Sequence, residues 1–140
     1  MTYQNAIHAD TTVTTDFKAL GKRIGAAMSD RTSPQTGIHK PSWDLLTEHG
    51  FWQIGCPRND RDSQSWTRLT DPVEDLAAGC GDLGFVLSAV AHVGIIRMVQ
   101  IYGTDAQKNA FLPRLLDGDI AAIWIKTGCC LKRLTRFCMT

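Results

Sequence analysis

The sequence predicts a mainly α-helical protein, an up-and-down helical bundle with a short strand stub near the C-terminus, and three observations carry that prediction. Phe17, Leu20, Ile24 and Met28 recur at spacings of three and four, which places them on one face of a helix. Residues 85–99 are apolar apart from Ser88, His92 and Arg97, the pattern of a helix at the centre of a bundle. Residues 101–118 turn through a tight corner into a further helix, and the apolar run 120–125 after it reads as a buried strand.

Each element has its own signals. Thr15 and Asp16 can cap the first helix through their side-chain oxygens. Residues 30–40 are polar, contain Pro34 and Gly37, and read as a loop. Pro41 and Ser42 open a short helix through Leu45 and Leu46 that Gly50 ends. Residues 51–57 read as an extended connection and 58–65 as a charged surface loop. Asp71 and Pro72 have the form of an N-cap followed by a first-turn proline, so a helix is expected from there to about Cys80, with a longer one over about 83–102. Gly103 is placed to end that helix in a left-handed conformation. Thr104 and Gln107 have capping-box spacing. Pro113 is expected to kink or restart the following helix, which Gly118 closes. On these periodicities Phe17, Leu20, Ile24, Leu45, Leu46, Leu76, Leu87, Phe111, Leu112 and Leu115 should be buried.

Composition narrows the function. With 44% hydrophobic and 21% charged residues the 140-residue chain can form a core. A formal net charge of +1 supplies no overall field that would attract nucleic acid or anionic lipid. No basic segment followed by an apolar run opens the chain, and the window 85–99 is too short to span a bilayer, so a cytoplasmic protein without a membrane segment is expected. Cys129, Cys130 and Cys138 lack the paired C-x-x-C spacing of zinc sites, and no metal is expected. His92 lies between apolar residues with no acid or cysteine at ligand spacing, which favours a hydrogen-bonded packing role over catalysis.

Several motifs then point to a family. Gly103-Thr104 with Gln107-Lys108, Phe111-Leu112-Pro113, and Gly118 before an apolar run resemble the corner that joins the N-terminal helical domain of acyl-CoA dehydrogenases to their middle β-domain. Trp43, Leu46, Glu48, Gly50 and Phe51 are similar to that family's W-x-x-L-x-E-x-G-F segment. Glu74 to Ala77 and the segment 82–92 resemble its central helix pair. Many members carry a Pro-x-x-x-Gly-Gly turn, of which this chain keeps Pro57 but not the glycine pair.

The resemblance implies a flavoprotein in which a carboxylate removes the α-proton of an acyl thioester while FAD accepts the β-hydrogen as hydride. The thioester carrier is coenzyme A or a carrier protein. By this resemblance Val86, Val90 and Gly94 would line the acyl groove, and Trp124 and Thr127 would approach the flavin. The family's base comes from a C-terminal helical domain, so no residue here is assigned a catalytic role.

After Thr127 the family continues with Glu-Pro and Gly-Ser-Asp, whereas this chain reads Gly128, Cys129, Cys130 and carries Lys132, Arg133 and Arg136 without an acid. The resulting expectation has four parts: a disordered segment over 1–15, the helical domain over 16–118, the start of the middle domain over 119–127, and an aberrant or disordered basic tail over 128–140. Such a truncated fragment would be inactive alone. It would leave the apolar surface around Ile95, Ile96, Val99 and Leu116 bare, and would self-associate or bind the missing domains through it. The rival reading is a small non-catalytic helical protein that binds another partner through such a surface.

Overall fold

The computed structural model describes residues 15–29, 37–54, 56, 64 and 66–120. Among them are six helices and no strand: α1 (Phe17–Ser29), α2 (Lys40–Glu48), α3 (Phe51–Ile54), α4 (Thr67–Cys80), α5 (Leu83–Tyr102) and α6 (Asp105–Leu116). This is the helical bundle that the apolar periodicity predicts. The segment 1–14, the expected strand from residue 121 onward and the tail 128–140 lie outside the described residues.

Three of the six helices start on a side-chain cap. The Ala19 amide donates to the Asp16 carboxylate at 2.9 Å, and the Phe85 amide to Asp82 at 2.9 Å, so each acid satisfies a first-turn donor that its helix leaves free. At the head of α6 both halves of the capping box are present. The Thr104 amide donates to Gln107 Oε1 at 2.9 Å and the Gln107 amide to Thr104 Oγ1 at 3.3 Å. Gly81 ends α4 in the left-handed region at φ 67°.

Several expectations are corrected. Gly103 is extended, at φ −70° and ψ 145°, and is not a left-handed cap. Glycine is required there for room, because a Cβ would collide with the Val99 carbonyl oxygen. Residues 51–54 are a helical turn and not an extended connection, since Phe51 and Trp52 must both reach the core from consecutive positions. One turn is too short to declare itself by periodicity.

Helix α4 begins at Thr67, ahead of Asp71, and contains Pro72. The buried side chain of Leu69 draws that first turn into the helix, at the cost of the hydrogen bond that Pro72 cannot donate. Pro113 likewise sits inside an unbroken α6 and does not restart it.

The core is built round Trp43, Trp52, Phe51, Leu46, Leu76, Ile24, Ile96 and Leu112. Phe17, Leu20, Ile24, Leu46, Leu76, Leu112 and Leu115 are buried as expected, and Leu45 and Phe111 are partly buried against the core. Leu87 is not buried; it is 59% exposed. Conversely Ile95, Ile96 and Leu116, expected to be bare, are buried, and Val99 packs against the core. On α5 both errors arise because the helix is apolar on every side, so periodicity could not say which side faces in. Ala89, Val93 and Ile96 mark the inner side, and Leu83, Leu87, Met98 and Ile101 the outer.

Helices α1 and α4 approach each other through glycine. A Cβ on Gly21 would stand 2.7 Å from the Leu76 carbonyl oxygen and one on Gly25 2.5 Å from that of Cys80, while one on Gly79 would fall on the Lys18 carbonyl. Each glycine costs about 0.5–1 kcal/mol of helix stability, which only close backbone packing offsets.

Candidate functional site

A cluster of buried rings with polar handles lies where α6 ends. The Trp43 and Trp52 rings stand 4.6 Å apart, and His92 of α5 lies 5.1 Å from the first and 4.7 Å from the second. His92 Nε2 is 2.9 Å from the Leu115 carbonyl oxygen, and Trp43 Nε1 donates to the Gly118 carbonyl at 2.8 Å. Trp52 Nε1 donates to Thr47 Oγ1 at 2.7 Å, and that hydroxyl occupies the space where a Cβ on Gly118 would point.

Gly118 has φ +88°, its amide donates to Leu115, and the Asp119 amide donates to Arg114 at 2.9 Å. These bonds form a Schellman motif. Two buried ring donors thus finish what the backbone begins, and fix the direction in which the chain leaves the bundle at residue 119.

His92 is neutral in this setting. A carbonyl only accepts, so Nε2 carries the proton and donates it to Leu115, and Nδ1 is a bare acceptor, buried without a hydrogen-bond partner. Burial holds its pKa below the ordinary value, and the Leu115 carbonyl only partly counters that. It is therefore a packing and hydrogen-bonding residue, as its apolar neighbours predict.

The expected acyl-groove residues do not share one environment. Val86 is buried in the core, whereas Val90 and Gly94 are half-buried and Gly94 has open space where a Cβ would stand. On the same outer side as Gly94, Leu83, Leu87, Met98 and Ile101 continue at helical spacing, with Tyr102 82% exposed at the end. Sequence reasoning missed this strip. The signal was present in the lack of any polar side to α5.

By length and composition α5 could cross a membrane, yet Phe85, Val86, Ala89, His92, Val93, Ile95 and Ile96 are buried in the bundle, as in a core helix. Arg97 lies 5.3 Å over the Trp66 ring. Trp124 and Thr127 lie outside the described residues.

Among the described residues no group of His, Cys, Asp and Glu could hold a metal ion. Their buried polar atoms without partners are Gln53 Oε1, His92 Nδ1 and Gln100 Oε1. All three are acceptors, so none of these atoms could hold the diphosphate of FAD. Nor do they offer a placed base. Asp82 caps α5, Asp44 pairs with Lys40, and Glu48 and Glu74 are open to water.

No match was found among curated proteins or among solved structures. The family described as acyl-CoA dehydrogenase, N-terminal domain, matches residues 20–119, from within α1 to the turn fixed by Trp43 and His92. The match takes in every helix that positions this turn and most of the chain, which therefore belongs to the acyl-CoA dehydrogenase family through its N-terminal helical domain.

Proposed function

We propose that this chain is the N-terminal helical part of an FAD-dependent oxidoreductase acting on a CH–CH bond of an acyl thioester, carried by coenzyme A or a carrier protein, and that it is inactive by itself. The observation that carries this reading is the family match over residues 20–119. FAD, when bound in such an enzyme, accepts the hydrogen removed from the β-carbon. The buried unpartnered atoms are all acceptors, and Asp82 and Asp44 are already engaged, which supports placing the base and the diphosphate site outside this bundle.

Val90 and Gly94 remain the residues proposed for an acyl groove, with Val86 behind them as core support. Trp124 and Thr127 remain the proposed flavin contacts. The compartment proposed is the cytoplasm.

A second reading rests on one observation that the first also accommodates. The outer strip of α5, from Leu83 to Met98 and Ile101, exposes large apolar side chains in a row. In the first reading the remaining domains of the enzyme cover this strip; in the second, a non-catalytic partner does.

Equilibrium dialysis of the purified chain against FAD, with absorbance during addition of acyl-CoA and an acceptor dye, tests the proposal. No retained flavin and no dye reduction are expected. Retained flavin that bleaches on addition of acyl-CoA would refute inactivity. Recovery of activity on mixing with the middle and C-terminal domains of a family member favours the first reading. Tight binding to an unrelated protein, with no such recovery, favours the second.

A further inference from the structure

The exit of α6 is held by a group that can take up a proton on the acid side of neutrality. His92 is 1% exposed, its ring is enclosed by the Trp43 and Trp52 indoles, and its bond to Leu115 uses the only proton of the neutral ring. A second proton would have to go to Nδ1, which has no hydrogen-bond partner. The charged ring satisfies that N–H only by turning out to water, and in turning it gives up Leu115.

We propose that His92 is a proton-sensitive latch: neutral, it pins the C-terminal end of α6 and, together with Trp43, the turn at residues 117–118; protonated, it leaves its pocket and lets that end loosen.

Among the described residues no charge acts on the ring, Lys108 of α6 and Asp117 of the turn included. Lys40 and Asp44 of α2 pair with each other at the surface and Glu48 is exposed. Arg97, on the same helix as His92, lies over Trp66. Arg114 of α6 pairs with Asp119 at 2.8 Å in solvent, and Asp105 is exposed. Helix α3 has no ionisable residue. What acts on the ring is burial first and the Leu115 carbonyl second.

The sign follows. A histidine pKa depressed by folding contributes stability that is full above its unfolded value of about 6.5 and is lost as pH falls below it. The consequence is local as well as global, because the bonds lost are those that set where the chain leaves the bundle.

The test uses the 140-residue chain and His92→Gln, whose amide can donate to Leu115 but does not ionise. Three readouts are expected to agree between about pH 8 and about pH 5. The His92 ring signals titrate below about 6.5 by NMR. The urea midpoint of the wild type falls toward acid more steeply than that of His92→Gln. Hydrogen-exchange protection at residues 117–119, corrected for intrinsic rates, drops in the wild type before that of α5. If the variant does not fold, the first and third readouts on the wild type still decide. Titration at or above the ordinary histidine value, which would mean that the indoles stabilise the cation, overturns the proposal. So do parallel midpoints for the two proteins, or protection at 117–119 that falls only together with α5.

Discussion

The Trp43 indole donates a 2.8 Å hydrogen bond to the carbonyl of Gly118, joining positions 75 residues apart in the sequence. The bond is buried, and the two indoles beside it lie inclined at 38° with ring centroids 4.6 Å apart, so Trp43 both fills the core and terminates α6. A phenylalanine would keep most of the first role and none of the second.

We therefore predict that Trp43→Phe destabilises the chain by about 1–3 kcal/mol, since it strands a buried carbonyl as well as removing ring area. Urea denaturation followed by circular dichroism measures this. A change of a few tenths of a kcal/mol would mean that the Gly118 carbonyl finds water as readily as the indole.

The glycines of the helices make a paired prediction. Gly79→Ala places a methyl on the Lys18 carbonyl and should force α1 and α4 apart, at a cost of about 1–3 kcal/mol. Gly94→Ala meets nothing within 4 Å on the outer side of α5 and should stabilise by about 0.4–1 kcal/mol through helix propensity and the unfolded chain. Equal effects of the two substitutions would show that glycine flexibility, and not helix contact, governs both sites.

Capping gives a smaller, additive pair. Thr104→Ala removes one reciprocal bond of the box at the head of α6, and Asp82→Ala the acceptor for the Phe85 amide at the head of α5. Each should cost about 1 kcal/mol. Because these side chains meet different helices, the double variant should lose the sum, measured as a thermal shift. A loss well short of the sum would show that the two helix starts are coupled.

The elements that sequence made legible are those whose cause is local. Thr104 and Gln107 bond as their spacing requires, and Asp16 caps α1, because three-residue geometry decides both. Phe17, Leu20 and Ile24 are buried as their periodicity requires.

What stayed hidden was decided by packing. The burial of Leu69, which draws the helix past Pro72, and the choice of Leu115 as the acceptor for His92 both depend on elements brought together only in the fold, and the crowding of Gly103 by Val99 depends on how α5 ends. Helix α5 misled for a further reason. With apolar residues on all sides it carries no local record of which side is the core, so Leu87 and Ile96 were exchanged. The groove reading at Val86, Val90 and Gly94 came by family resemblance, and these three residues span the boundary between inner and outer sides.

Cys56 is buried, with its thiol donating to the Trp52 carbonyl at 3.3 Å. Burial raises its pKa to about 11, against partial lowering by a hydrogen bond from Gln100 and by Arg97 and Arg68. At about pH 8 roughly one Cys56 in a thousand would then be thiolate, so in the native chain it should react with iodoacetamide far more slowly than in urea. Peptide mapping by mass spectrometry distinguishes it from the chain's other cysteines. The same shift fixes an alkaline limb of stability: a thiol pKa raised by folding contributes fully below the unfolded value of 9.0 and is lost as pH rises toward about 11. In Cys56→Ala that part of the alkaline loss should vanish, although the variant is somewhat less stable at neutral pH from the small cavity. Native Cys56 alkylated as fast as in the unfolded chain would show that the end of α3 opens readily, and that the close packing of Trp52 against Trp43 and His92 does not extend to it.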